Sequence, residues 1–198
     1  MNRGPTYNVL IVGVGGQGII LASDVLSRAA AWHGYDVKKN EIHGMAQRGG
    51  SVSSHVRFGP LVSSPVIKMG EVDVLLSFEQ LETVRYFPFL SARAKVIVND
   101  IKILPPAVFT GKQEYPPDIL ERIKERVPDA VVLDGAQIAG TLGNPRVVNV
   151  VFLGVLSTYL DIPAKAYEAV LTESLKPTLV DINIRAFHEG RYLAASKK

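Results

Sequence analysis

The sequence predicts an α/β fold with a doubly wound parallel or mixed sheet and a C-terminal helical region. Three observations support this prediction. Apolar runs of strand length alternate with helix-forming segments over residues 7–135. A glycine-rich turn follows the first apolar run, and the predicted helices concentrate after residue 135. The chain has 198 residues, 47% of them hydrophobic, which is enough to bury the core of one domain.

The first strand, turn and helix are the most informative stretch. Val9 to Val12 form an apolar run typical of a buried parallel strand, and residues 19–32 lack Pro and Gly, which favours a helix. Glycines at G-x-G-x-x-G spacing, with one extra, lie between them: Gly13, Gly15, Gly16 and Gly18. A strand, a glycine turn and a helix in this order are typical of a Rossmann-like fold.

This glycine loop is the first candidate binding site. Glycines let an anion approach the backbone, and the N-terminus of the following helix offers free N–H groups and partial positive charge. The candidate residues are Gly13, Gly15, Gly16, Gln17 and Gly18. Such turns also serve only to pack a strand against a helix, so the motif by itself does not establish a dinucleotide site.

Later elements follow from composition and from Pro and Gly positions. Further strands are predicted at 35–40 on an edge, and at 51–58, 66–68, 72–78, 94–99 and 130–133. Helices are predicted at 16–33, 79–90, 116–127, 137–142, 146–160, 162–175 and 178–189. We therefore expect a single domain over residues 1–198, with a sheet core at 1–135 and a helical extension at 136–198.

A second polar loop precedes the strand at 51–58. Its candidate residues are Gln47, Arg48, Gly49, Gly50 and Ser51. Arginine offers a planar fork for phosphate or carboxylate, and paired glycines permit a backbone anion nest. If the second strand runs parallel to the first, this loop shares the sheet edge of the glycine loop, where ligands of open α/β sheets bind. The alternative is a β-turn with an exposed arginine.

Glu41 keeps a nicotinamide or flavin-binding function open. It lies roughly 20 residues beyond the glycine turn, where a dinucleotide fold places its ribose-binding carboxylate. Lys38, Lys39 and Arg48 crowd the same region, and the chain offers no second domain for a hydride-transfer substrate. His43 is the one histidine inside a suspected site, where we expect a loop hydrogen bond rather than catalysis.

Composition excludes several classes of site. The chain has no cysteine, which rules out disulfides and iron–sulfur clusters held by its own thiolates. The four histidines lack the spacing of metal ligands, so we expect no metal site. The net charge of +3 comes from scattered residues, which argues against nucleic-acid binding. The longest apolar stretch, 147–156, contains Asn149 and is too short for a bilayer span, so a cytoplasmic location is expected.

Three segments resemble a known family. Residues 13–18, residues 41–52 with the sequence His-Gly-Met-Ala-Gln-Arg-Gly-Gly at 43–50, and residues 144–154 are similar to the gamma-type subunit or domain of 2-oxoacid:ferredoxin oxidoreductases. The likeness extends over nearly the whole chain. The segment 43–50 is most similar to the indolepyruvate-type members of that family.

The resemblance implies a function and partners. Enzymes of this family use thiamine diphosphate to decarboxylate a 2-oxoacid oxidatively, form an acyl-CoA and CO2, and pass electrons to ferredoxin. It implies that thiamine diphosphate, Mg and 4Fe-4S clusters reside in a partner alpha subunit, with coenzyme A as substrate. The chain would then be inactive alone and part of a hetero-oligomer, or a homodimer when isolated. No catalytic residue is assigned to this chain, and whether its two loops bind coenzyme A, a cofactor or only the partner stays open.

Overall fold

A computed structural model describes residues 6–44 and 49–196 of the chain. Six strands form one sheet in the order β2-β3-β1-β4-β5-β6. Their bounds are β1 Tyr7–Val14, β2 Asp36–His43, β3 Ser51–Gly59, β4 Val72–Ser77, β5 Leu90–Asn99 and β6 Val131–Leu133. Strands β1, β4, β5 and β6 are parallel, whereas β3 runs antiparallel to both β1 and β2. The sheet is therefore mixed, within the predicted class.

Helices connect and cover these strands. Their bounds are α1 Ile19–Trp32, α2 Gln80–Arg85, α3 Pro106–Phe109, α4 Ile119–Arg126, α5 Gly135–Thr141, α6 Val148–Ser157, α7 Ala164–Ser174 and α8 Pro177–Ala195. Short 3-10 turns at Phe87–Phe89 and Pro145–Val147 precede β5 and α6. Within the described ranges, no helix combines the length and apolar character that crossing a bilayer requires.

The sheet is buried on both faces. Val9 and Ile11 of β1 join a core with α1, α6, α7 and α8, while Leu10 and Val12 join a second core with α2 and α4. Alternate residues of a strand point to opposite faces, so a continuous apolar run at 9–12 requires helices on both sides. The predicted doubly wound architecture is confirmed.

The C-terminal helices form the core of one face. Every residue from Asn149 to Ser157 is buried, as expected for a helix that is apolar on all sides. Helices α6 and α8 cross at Gly154 and Gly190, where a Cβ on Gly190 would lie 2.8 Å from the Val151 carbonyl carbon. This close crossing holds α6 in place against the sheet.

Several predicted boundaries were wrong. β2 continues to His43 because it pairs along its whole length with β3, so the intervening loop is shorter than expected. The segment 66–68 is not a strand; its Ile67 N–H donates to the buried His55 ring instead of to a neighbouring strand. The helix predicted at 79–90 ends at Arg85, since Pro88 turns the chain into a 3-10 segment and β5 begins at Leu90.

Candidate functional site at the carboxyl edge of the sheet

The two glycine loops meet at one edge of the sheet. Val14 at the end of β1 pairs with Ser51 at the start of β3, and the Gly15 N–H donates to the Gly50 carbonyl at 2.9 Å. The Gly44 N–H donates to the Ser51 carbonyl at 2.9 Å and closes the base of the second loop. The two loops were predicted to share an edge if the second strand runs parallel to the first. β2 is indeed parallel to β1, although β3 lies between the two strands. The predictions for Gln47 and Arg48 lie outside the described residues.

The first loop needs glycine for local steric reasons. Gly16 and Gly18 have φ values of 103° and 83°, in the left-handed region that other residues avoid. A Cβ on Gly13 would lie 3.0 Å from the Phe78 Cβ, so the end of β4 leaves no room for one. The turn therefore brings bare backbone to the carboxyl ends of β1 and β4.

Gln17 holds this turn together. Its side-chain Oε1 accepts a hydrogen bond from the Val14 N–H at 2.7 Å, and its Nε2 donates to the Phe78 carbonyl at 2.7 Å. The side chain thereby ties the end of β1 to the end of β4. Sequence reasoning placed Gln17 among the binding residues, but both side-chain polar atoms already serve the fold.

A cleft of about 320 Å³ opens beside the loop. We call it the β1–β4 cleft because it lies above the carboxyl ends of these adjacent parallel strands. Its lining residues are Gly16, Gln17, Gly18, Phe78, Asn99, Ile101, Ala136, Pro145, Arg146, Val148 and Asn149. After β1 the chain continues to β2 on one side of β1, whereas β4 lies on the other side of β1. The cleft is therefore at the point where the strand order reverses direction, and open α/β sheets bind ligands at this point.

Arg146 and Asn149 are among the residues of this cleft that were not predicted as binding residues. Arg146 comes from the 3-10 turn before α6, and Asn149 from the first turn of α6. Asn149 is only 7% exposed and lies against Gly18, where a Cβ would be 3.0 Å from the Asn149 Cγ. The available sequence signal was an amide within an apolar helix that follows Gly-Asn-Pro-Arg. The sequence does not show that α6 packs against the glycine loop, so the sequence alone could not place Asn149 in this cleft.

A second cleft of about 300 Å³ lies on the other side of the glycine loop. Its lining residues are Gly15, Gly16, Gly18, Ile19, Ile20, His43 and Val52. His43 closes β2 there, beside the base of the second loop. The lining is mostly apolar, so this cleft suits an uncharged part of a ligand or a partner side chain better than it suits an anion.

Ser51 anchors the second loop to the helix after β4. Its Oγ donates to Glu82 Oε2 at 2.5 Å, and Glu82 also pairs with Arg85 at 2.5 Å. Burial raises the pKa of the Glu82 carboxyl, and the hydrogen bond from Ser51 and the charge of Arg85 oppose that rise. The Ser51 hydroxyl therefore joins the start of β3 to α2.

Glu41 does not occupy the position of a ribose-binding carboxylate. It pairs across the sheet with Ser54 of β3, which separates its strand from β1 and the glycine turn. Its carboxylate contacts Lys39 at 2.6 Å and His43 at 3.3 Å, and the hydrogen bond from Lys39 lowers its pKa despite partial burial. Among residues 6–44 and 49–196, no group of three or more His, Asp or Glu side chains could hold a metal.

Comparison with known proteins identifies relatives over most of the chain. Residues 8–193 match the family model described as pyruvate ferredoxin/flavodoxin oxidoreductase. The indolepyruvate oxidoreductase subunit IorB of Archaeoglobus fulgidus is 38% identical over 193 residues, which cover 96% of each chain. IorB of Pyrococcus horikoshii is 39% identical over 191 residues, covering 93% of this chain and 94% of that one.

Solved structures show the same fold. The gamma subunit of a keto/oxoacid ferredoxin oxidoreductase from Geobacter sulfurreducens matches with a TM-score of 0.70 at 21% identity, covering 96% of this chain and 99% of that one. A 2-oxoglutarate:ferredoxin oxidoreductase chain from Magnetococcus marinus matches with a TM-score of 0.73 at 20% identity, covering 98% of this chain and 32% of that one. From the family match and its extent, we conclude that this chain belongs to the pyruvate ferredoxin/flavodoxin oxidoreductase family.

Proposed function

We propose that this chain is the gamma-type subunit of a cytoplasmic, thiamine-dependent 2-oxoacid:ferredoxin oxidoreductase whose substrate is indolepyruvate or another aryl pyruvate. The observation that carries the proposal is 38% identity to an IorB subunit over 96% of both chains. The complex would convert a 2-oxoacid, coenzyme A and two oxidised ferredoxins into an acyl-CoA, CO2, two reduced ferredoxins and a proton. A free-standing NAD or FAD protein is disfavoured by these relatives and by the position of Glu41.

The composition of the chain supports an enzyme in which a partner subunit holds the cofactors. A chain without cysteine cannot ligate 4Fe-4S clusters through its own thiolates. The proposal therefore assigns the clusters, thiamine diphosphate and Mg²⁺ to an alpha subunit, which also reduces ferredoxin. Thiamine diphosphate bound there would stabilise the carbanion that loss of CO2 leaves behind. This chain alone is expected to show no turnover.

The role proposed for this chain is to bind coenzyme A at the carboxyl edge of the sheet. Residues 13–18 would offer backbone N–H groups and the N-terminus of α1 to a phosphate. Residues 47–51 would add the Arg48 charge and the Gln47 amide from the second loop. In the described part of both loops, Gln17 and Ser51 hold the backbone through internal hydrogen bonds. We treat residues 1–198 as one domain because α6 to α8 share a core with the sheet.

Reconstitution tests the proposed function. The chain is produced with and without a thiamine- and cluster-bearing alpha subunit, and acyl-CoA formation is measured with indolepyruvate, phenylpyruvate, pyruvate and 2-oxoglutarate. We expect activity only when both chains are present, and the highest kcat/KM with an aryl pyruvate. Full activity of the alpha subunit alone would reject the subunit function, and a preference for 2-oxoglutarate would reject the substrate class.

The Arg48→Ala variant separates ligand binding from subunit docking. If the second loop binds coenzyme A, the variant assembles normally and the KM for coenzyme A rises about tenfold or more, as loss of a charge-assisted hydrogen bond predicts. If the loop binds only protein, assembly weakens and the KM for coenzyme A in the assembled enzyme stays unchanged. Gel filtration of the mixed subunits and initial-rate kinetics distinguish these two outcomes.

A further inference from the structure

We propose that a cleft at the amino edge of the sheet docks an extended acidic segment of the alpha subunit. The cleft has a volume of about 450 Å³ and is lined by residues 90–95 of β5 and by residues 126–129, at the end of α4 and after it. We call it the amino-edge cleft. The choice of the alpha subunit as the occupant rests on the proposed function, whereas the acidic character of the occupant follows from the cleft.

Cations outnumber carboxylates in this cleft. Its lining holds Arg93, Lys95 and Arg126 but only one carboxylate, that of Asp129. Lys95 and Asp129 form an ion pair, and their hydrogen bond raises the pKa of the amine and lowers the pKa of the carboxyl, so both groups are charged at neutral pH. The two arginines are exposed and make no ion pair with any residue in the described ranges. Two guanidinium groups are therefore free to bind carboxylates through their paired N–H donors.

The start of β5 also has backbone that no strand covers. Val72 of β4 pairs with Leu90, and Val74 pairs with Lys95, so residues 91–94 bulge out of that pairing. On the other side, β6 pairs only with residues 97–99. Residues 91–94 therefore pair with neither neighbouring strand within the part of the chain that the structure describes. Extended peptides add to unpaired strand backbone of this kind.

An apolar wall favours a peptide over a small free anion. Leu90, Ala94 and Val127 line the cleft and are buried in the core shared with α2 and α4. Because a close-packed core fixes these residues, the cleft has its shape before any partner binds. Apolar contacts surrounded by exposed arginines are typical of protein–protein interfaces.

The position of the cleft favours a segment that extends from a larger partner. Ligands of open α/β sheets bind at the carboxyl edge, where the two glycine loops meet, and the amino-edge cleft lies at the opposite ends of the strands. The eight residues of β1 span about 26 Å between these edges. If the alpha subunit presents its cofactors to the carboxyl edge, an extended segment of about ten residues is long enough to reach the amino edge.

Binding of a peptide to the isolated full chain tests the cleft without the alpha subunit. The probe is a labelled, short polyglutamate peptide, the uncharged control is a polyglutamine peptide of the same length, and fluorescence anisotropy is the readout. We expect wild type to bind only polyglutamate, and to bind it more weakly as salt rises from about 0.05 M to about 0.5 M. The double variant Arg93→Gln/Arg126→Gln should weaken this binding about tenfold.

Association with the alpha subunit tests the occupant. Sedimentation velocity measures the Kd of the two subunits, and Arg93→Gln/Arg126→Gln should raise it about tenfold. At subunit concentrations that saturate assembly, the variant complex should keep the wild-type kcat and the wild-type KM for coenzyme A. A role in docking predicts this separation, because the amino-edge cleft is remote from the carboxyl edge.

Lys176→Gln/Arg185→Gln is the matched control. It also removes two exposed positive charges from a chain of net charge +3, and neither side chain makes an ion pair in the described ranges. Lys176 precedes α8 and Arg185 lies within it, and α8 belongs to the core on the opposite face of the sheet from α4. This variant should bind polyglutamate and the alpha subunit like wild type. Circular dichroism and the melting temperature of each variant show whether the fold is retained.

Weaker binding of both polyglutamate and the alpha subunit, confined to the cleft variant, supports the proposal. Equal binding of polyglutamate to wild type and to the folded cleft variant, or no binding to wild type, overturns it. Unchanged association of the cleft variant with the alpha subunit overturns the choice of occupant. So does a wild-type homodimer that the cleft variant fails to form, since the occupant would then be a second copy of this chain.

Competition with free glutamate distinguishes a peptide site from a site for small anions. Displacement of polyglutamate by free glutamate at the same carboxylate concentration would overturn the proposal of a docked segment. Failure of the proposed function is measured differently, as full activity of the alpha subunit alone. Peptide binding and subunit association need no turnover, so the two failures are distinguishable.

Discussion

Replacement of Gly18 by alanine provides a quantitative test of the glycine loop. Gly18 has a φ of 83°, and an added Cβ would lie 3.0 Å from the Asn149 Cγ. The left-handed conformation costs an alanine about 1–2 kcal/mol, and crowding of a packed side chain costs about 1–3 kcal/mol more. We therefore expect Gly18→Ala to lower the free energy of unfolding by about 2–5 kcal/mol.

Gly34→Ala is the matched control for the backbone component. Gly34 has a φ of 95°, but an added Cβ would meet nothing within 4 Å. It follows the opposite end of α1, about 20 Å from Gly18 at helical rise. Its substitution should cost about 1–2 kcal/mol, so the difference between the two variants isolates the contact with Asn149.

Urea denaturation monitored by circular dichroism supplies both free energies. In a chain of this length, each 1 kcal/mol corresponds to about 2–4 °C in melting temperature, which gives an independent measurement. The double variant Gly18→Ala/Asn149→Ala should recover part of the loss, with a coupling energy of about 1 kcal/mol. Equal losses at Gly18 and Gly34, together with additive effects in the double variant, would refute the assigned contact.

Three further substitutions test other parts of the structure. Gln17→Leu should lower the free energy of unfolding by about 1–3 kcal/mol, since it leaves the Val14 N–H and the Phe78 carbonyl without their partner. An unchanged urea midpoint would show that these two hydrogen bonds do not stabilise the fold. Burial raises the pKa of Glu82, so the stability of wild type relative to Glu82→Gln should be greatest below the ordinary value of 4.5 and fall as pH rises through the raised pKa. Melting temperatures from about pH 4 to about pH 8 measure this, and a constant difference across that range would contradict it. Gly190→Ala should destabilise by about 3 kcal/mol or more because α6 leaves no space for a Cβ, whereas Gly140→Ala in α5, with nothing within 4 Å, should be neutral or stabilising; similar thermal shifts for the two would exclude a tight α6–α8 crossing.

Much of the fold could be predicted from local sequence patterns. The apolar run at 9–12 indicated a strand buried on both faces, and the glycines after it indicated the turn, because both signals depend on neighbouring residues only. The proximity of the two loops was also predicted, and the hydrogen bond between Gly15 and Gly50 confirms it. The strand at 66–68 failed because Ile67 is buried beside His55 instead of pairing in the sheet. A short apolar run does not distinguish these environments.

The candidate site, like the fold, could be predicted from the sequence only in part. The sequence pointed to the glycine loop as a place where an anion could approach the backbone, and it marked Asn149 as unusual. It could not show that Gln17 and Ser51 have their side chains engaged within the fold, because their partners, Phe78 and Glu82, are distant in sequence.

By itself, the sequence determined the alternation of elements, the family resemblance and the absence of thiolate ligands, because these depend on composition and local order. Only the tertiary structure decided that β3 lies between β2 and β1, which separates Glu41 from the glycine turn. It also decided that Arg146, in the 3-10 turn before α6, and Asn149, in the first turn of α6, reach the β1–β4 cleft more than 120 residues after the loop they face. The physical reason is that helix packing and strand order depend on burial of distant apolar surfaces against one another, which no local pattern specifies.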